Sequence, residues 1–131
     1  MDAAKLTVAP GRYSPLLLAY MGDAVFETLA RQTAINRGMA PVAKLHGRSA
    51  GIVNARAQAA VYRRLLAAAD EEEAAVLKRG RNARPAHAAK NASVSDYRHA
   101  TGVEALFGYL FLTGRTERME ELFTLCLEND K

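Results

Sequence analysis

The chain has 131 residues and a mass of 14.2 kDa, enough for one sizeable hydrophobic core and too little for two ordinary domains, so one domain over 1–131 is expected. Hydrophobic residues make up 50% and charged residues 24%, a balance that excludes a disordered chain, and no window nears the roughly 18 uninterrupted apolar residues of a membrane span. The net charge is +4 and thirteen of the eighteen basic residues are Arg, whose planar fork suits phosphate and makes a polyanionic partner plausible beside an ordinary solvated basic surface.

Taken in chain order, the sequence reads as helix almost throughout: Ala is abundant, Val, Ile and Thr are sparse, and no strand pair stands out. Ser14-Pro15 is a helix start, a side-chain cap followed by a proline whose missing N–H costs nothing there. The segment from Pro15 runs to Asn36-Arg37-Gly38, where Asn and Gly supply a stop. It is apolar on most faces as far as Thr28 and is therefore expected to be central. A second helical stretch opens near Pro41 and continues to Ala69, with Gly47 and Gly51 as bend points. Asp70 with Glu73 three residues on predicts a capped third helix from Glu71 to about Lys78. The segment RGRNARPAHAAKNASVS, about residues 79–95, contains Gly80 and Pro85 and hardly a large apolar side chain, and reads as an exposed basic loop. Ser95 is the expected cap of a fourth helix ended by Gly114, and an amphipathic helix spans about Glu117 to Glu128. The expected fold class is all-α, with the first and fourth helices the most apolar.

Each of those two apolar helices carries a carboxylate beside glycine. Asp23 follows Gly22 in AYMGDAVFE, and Glu104 lies between Gly102 and Gly108 in TGVEALFGYLF. A mid-helix Gly costs on the order of 1 kcal/mol relative to Ala, and an unpaired buried carboxylate several more. Both costs find an explanation if the helices pack closely and the two carboxylates converge on a divalent cation. Hard oxygen ligands favour Mg²⁺, which takes one or two protein carboxylates, keeps several waters and completes its shell with substrate phosphate. With the basic segment this suggests a nuclease acting by metal-assisted phosphodiester hydrolysis. The structural alternative is that each acid pairs with an Arg or lies at a wetted edge.

The segment Tyr20-Met21-Gly22-Asp23-Ala24-Val25 resembles the first signature of the ribonuclease III family, (F/Y)LGDAV, and Val103-Glu104-Ala105-Leu106-Phe107-Gly108 resembles its second, VEALIG. Order and separation also fit. The short length, the Gly80-Arg81-Asn82-Ala83 and Lys90-Asn91 elements and the Tyr97-Arg98-His99 approach to the second motif resemble the Mini-ribonuclease III branch, in which no double-stranded-RNA-binding domain follows. The likeness covers Tyr13 to about Phe123. It implies a helical homodimer, packed through the signature helices, that cuts double-stranded RNA with Mg²⁺, or Mn²⁺ in its place, leaving 5′-phosphate and 3′-hydroxyl ends. It also implies maturation of the large-subunit (23S) ribosomal RNA precursor in the bacterial cytoplasm. Asp23 carries over as metal ligand and orienter of the attacking water, Glu104 as metal ligand. The larger enzymes have two further carboxylates, where this chain has Ala19 and Thr101. Glu27, one turn beyond Asp23, and Asp96, about two turns before Glu104, are the residues that could stand in, against a plain surface role for each.

RNA contact is expected from this domain itself, through phosphates and 2′-hydroxyls across the shallow minor groove. The segment from Lys78 to Arg98 has six basic residues against one acidic, and Arg79, Arg81, Asn82, Arg84, Lys90, Asn91 and Arg98 are the candidate RNA-binding residues. Lys44 and His46 read as helix surface. His46, His87 and His99 lack metal-ligand spacing, and Cys126, the single cysteine, reads as a small core residue. Two rival functions stand beside the nuclease: a catalytically inactive helical scaffold that binds double-stranded RNA, and a basic interaction protein with no RNA role. The cleavage site, the number of metal ions and the need for a ribosomal-protein helper are left open.

Overall fold

A computed structural model describes residues 6, 9, 12–83 and 93–127. Helix α1 (Pro15–Asn36) starts where the sequence announces it: the Ser14 hydroxyl accepts from the Leu17 N–H at 3.1 Å, and Pro15 occupies the first turn. It ends before Gly38, whose φ of 128° turns the chain away.

The expected single stretch over 41–69 is two helices, α2 (Val42–Val53) and α3 (Ala55–Ala68), and the break falls at Asn54 rather than at Gly47 or Gly51. Asn54 serves both ends. Its amide donates to the Ala50 carbonyl at 2.9 Å, closing α2, while its Oδ1 accepts from the Ala57 N–H at 2.9 Å, opening α3. Helix α4 (Glu71–Asn82) opens with the expected capping box, Asp70 Oδ1 accepting from the Glu73 N–H at 2.8 Å and Glu73 Oε1 from the Asp70 N–H at 2.9 Å.

Helix α4 continues four residues past Lys78, so the reading of 79–95 as one basic loop is corrected: Arg79, Arg81 and Asn82 are helical. The reason is packing. Gly80, taken as a breaker, is where α4 meets α5 (Val94–Leu112), and a Cβ on it would come within 2.8 Å of the Gly102 Cα. The cap of α5 lies two residues before the expected one, because the Ser93 hydroxyl accepts from the Asp96 N–H at 3.0 Å and Ser95 falls in the first turn. Helix α6 (Thr116–Leu127) completes an all-α fold; no strand occurs among the described residues. No helix among them is long and apolar enough to cross a membrane.

Helix α5 is the hub, packed against α1, α3, α4 and α6. Ala100 to Val103 and Ala105 to Leu110 are buried in an unbroken sequence interrupted by Glu104 alone. Phe26 of α1, Phe107 of α5 and Phe123 of α6 meet edge to face with centroids 5.1 to 6.0 Å apart, and each fully buried ring contributes about 2–3 kcal/mol. This central α1/α5 pair is what positions the site.

Candidate metal and RNA-contact site

The two signature helices touch backbone to backbone. A Cβ on Gly22 would fall on the Glu104 carbonyl oxygen, and one on Gly108 on the Leu18 carbonyl oxygen. Only glycine at both positions permits this approach, which places Asp23, one residue past the contact on α1, against Glu104 on α5. The convergence expected from the sequence is therefore present.

Asp23 lies at the surface and Glu104 is half-buried. Burial pushes the Glu104 carboxyl up to about 8, and the adjoining Asp23 carboxylate acts in the same direction through its charge and its side-chain contact. The Gln58 side chain opposes this by favouring the charged form. Gln58 is 3% exposed, on the inward stripe of α3 with Val61, Tyr62 and Leu65. The sequence reading missed Gln58; the available signal was its place at the head of an otherwise apolar i, i+3, i+4, i+7 stripe.

The positions that carry acids in the larger enzymes supply no carboxylate. Ala19 is part of the core, and the buried Thr101 hydroxyl donates to the Tyr97 carbonyl of its own helix at 2.9 Å. Glu27 is turned along α1 toward Arg31, at 2.8 Å. Asp96 lines a separate recess with Arg56, Arg63, Ser95 and His99. Among the described residues no group of three or more His, Cys, Asp and Glu side chains gathers in one place. The donor set is thus two adjacent carboxylates, one held away from water, and no cationic side chain among the described residues acts on Glu104. Such a pair fits a hard divalent ion that completes its shell with water and phosphate.

Of the expected RNA contacts, Arg81, Asn82 and Arg98 line one recess with Val94, Ser95 and His99. The Arg81 guanidinium donates to Asn82 Oδ1 at 3.1 Å and lies 5.9 Å from the centroid of the Tyr62 ring. Arg79 is exposed on α4 but is not part of that recess. Arg84, Lys90 and Asn91 lie outside the described residues. Lys44 and His46 are exposed on α2. Cys126 packs against the core, and burial pushes its thiol up to about 12.

The Ribonuclease III domain model matches residues 16–115, the span that contains both signature helices and everything they hold together. The chain belongs to the ribonuclease III family. It is 44% identical to a Mini-ribonuclease 3 from Brevibacillus brevis over 93% of this chain and 91% of the relative. Another Mini-ribonuclease 3, from Enterococcus faecalis, is 44% identical over 86% of this chain and 87% of the relative. A crystal structure of a protein from Fusobacterium nucleatum superposes with a TM-score of 0.82 at 27% identity, covering 90% of this chain and 96% of that one. As a ribonuclease III family member the chain is an endoribonuclease, of a family that acts on double-stranded RNA with divalent metal.

Proposed function

We propose that this endoribonuclease cleaves double-stranded RNA with Mg²⁺, or Mn²⁺ in its place, and matures the large-subunit ribosomal RNA precursor in the bacterial cytoplasm. The observation that carries the reading is the contact of Asp23 with Glu104 at the Gly22/Gly108 crossing, where burial and the neighbouring carboxylate both disfavour the charged form of Glu104 and a bound cation would favour it. Asp23 and Glu104 hold the ion, which supplies water activation and charge neutralisation at the scissile phosphodiester. Asp23, the more exposed of the two, orients the attacking water. Glu104 is kept in place by the α1/α5 backbone contact and by Gln58. No side chain of the protein is needed as nucleophile, and the products carry 5′-phosphate and 3′-hydroxyl ends.

Arg79, Arg81, Asn82 and Arg98, with Arg84, Lys90 and Asn91 of the adjoining segment, hold the duplex by its phosphates, so binding weakens steeply with salt. The working form is a homodimer through the signature helices. Leu16, Leu17 and Tyr20 of α1 and Phe111 of α5 are exposed, Tyr20 at 81%, and an apolar recess is lined by Met21 and Leu29 of α1, Phe111 of α5 and Met119 of α6. A monomeric mass in sedimentation at micromolar concentration overturns the dimer.

The test is cleavage of a duplex-containing ribosomal RNA precursor fragment, free and bound to ribosomal protein, by wild type, Asp23→Asn and Glu104→Gln. The expected result is metal-dependent cutting by wild type, with both variants binding the fragment and leaving it intact. Wild type that binds without cutting under any Mg²⁺ or Mn²⁺ condition supports the inactive scaffold, with Ala19 and Thr101 as its cause.

A further inference from the structure

Two recesses meet at the first turns of α5. One holds Arg81, Asn82 and Arg98, the other Arg56, Arg63 and Asp96, and Ser95 and His99 line both. Arg56 and Arg63 belong to α3 and were not among the residues expected to touch RNA. Neither they nor Arg98 forms an ion pair or hydrogen bond among the described residues. Four guanidinium groups against the single carboxylate of Asp96 make a surface suited to a run of phosphates.

His99, at the junction, is fixed on two sides. Its Nδ1 lies 2.7 Å from the Ser95 backbone carbonyl, and because a carbonyl only accepts, the proton is on Nδ1. Its ring packs edge to face on Tyr62, centroids 4.7 Å apart at 85°. In the neutral ring Nε2 then carries the lone pair, and no described residue donates to it. An oriented acceptor among phosphate-binding guanidiniums is matched to a hydroxyl donor adjacent to a phosphate, which in a nucleic acid is the ribose 2′-hydroxyl. His99 is five residues from Glu104 on α5, about 7.5 Å of helix rise, so a strand contacted here passes within a few nucleotides of the carboxylate pair.

We infer that His99 accepts a hydrogen bond from a ribose 2′-hydroxyl of a duplex whose phosphates are held by Arg56, Arg63, Arg81 and Arg98, and that this contact distinguishes RNA from DNA. The inference rests on the proposed action on double-stranded RNA and adds the residue that sets the sugar preference. Phosphate contacts sense the shape of the duplex, and the 2′-hydroxyl is the group that RNA has and DNA lacks.

The test measures binding of sequence-matched RNA and DNA duplexes, with Ca²⁺ replacing Mg²⁺, by wild type, His99→Phe, Asp96→Asn and the double variant Arg56→Ala/Arg63→Ala. Phe keeps a ring against Tyr62 and removes the acceptor. Wild type is expected to prefer RNA, and His99→Phe to lower that preference by roughly 3- to 10-fold, the weight of one hydrogen bond, through weaker RNA binding alone. The Arg double variant is expected to weaken both duplexes and to flatten the salt dependence of the logarithm of affinity by about two. A scan of single 2′-deoxy substitutions along the RNA needs no protein variant: wild type loses a similar factor at one register, and His99→Phe loses nothing further there. A flat scan, or an unchanged RNA-to-DNA ratio in His99→Phe, overturns the inference, as does a ratio that moves with Asp96→Asn instead. Wild type that cuts duplex RNA with either result removes only the sugar contact; wild type that binds no duplex RNA removes the proposed function and this inference together.

Discussion

Glu73 and Glu104 are both carried inward by helices, but their surroundings act on them in opposite directions. Glu73 is 0% exposed at the start of α4, yet accepts from the Arg118 guanidinium at 2.8 and 2.9 Å and from the Asp70 N–H at 2.9 Å. The Arg118 hydrogen bonds hold its carboxyl below the usual range despite the burial. Glu104 is pushed up to about 8, first by burial and then by the charge and side-chain contact of the neighbouring Asp23 carboxylate. Burial raises both carboxyls; Glu73 has an Arg guanidinium to override it, and Glu104 has a second carboxylate that adds to it. A buried acid whose charge is met inside the chain is a structural tie between α4 and α6, whereas a half-buried acid beside a second acid is the arrangement that perturbed functional sites favour.

The largest way to break this comparison is Gly22→Ala. With a backbone carbonyl where the methyl must go, α1 and α5 are forced apart, and a loss of about 3 kcal/mol or more in urea unfolding is expected together with loss of cleavage. Arg118→Ala attacks the other acid. It strands a buried charge and is expected to cost about 3 kcal/mol.

The pH dependence sharpens the same contrast, since Glu73 has a lowered folded-state pKa and Glu104 a raised one. The Glu73 contribution is present above the ordinary carboxylate range and is lost as pH falls through its lowered value. In Arg118→Ala the Asp70 N–H and the Arg115 charge remain against burial without the guanidinium, so acid destabilisation begins at higher pH in urea midpoints. The Glu104 contribution has the reverse sign, being complete below 4.5 and lost as pH rises toward about 8.

Gln58→Leu leaves the carboxylates in place and removes the amide that favours the charged Glu104. Metal affinity is expected to fall roughly 10- to 100-fold, read as the Mn²⁺ concentration needed for thermal stabilisation as well as for cleavage. Asp23→Asn removes the like charge and is expected to add about 1 kcal/mol of stability at pH 8, less at pH 5, while abolishing activity. The smallest effect belongs to Gly47→Ala on exposed α2, where a Cβ meets nothing within 4 Å. There the helix gains about 0.5–1 kcal/mol, which separates glycines that hold helices together from one that does not.

Much of this arrangement is legible in the sequence, for identifiable reasons. The ends of α1 follow from Ser14-Pro15 and Gly38, the start of α4 from Asp70 and Glu73, and the convergence of Asp23 with Glu104 from glycines that a lone helix would not keep. The misreadings also have causes. Asn54 breaks α2 from α3 because one side chain caps both, a role that looks like ordinary polar surface until the backbone on each side is known. Gly80 reads as a breaker when its partner Gly102 is out of view. Gln58 and Arg63, on an alanine-rich helix, show which way they face only once α5 is packed beside them.

Asp23 and Glu104 are separated by some eighty residues of chain, and the crossing that unites them cannot exist until both helices are present. During synthesis the first signature leaves the ribosome long before the second, so the emerging polypeptide displays one of the two paired carboxylates without the other. With the proposed two-carboxylate site, hydrolysis waits until α5 has emerged and docked. For an enzyme whose proposed substrate is the RNA of the machine that makes it, that delay is a safeguard written into the order of its helices.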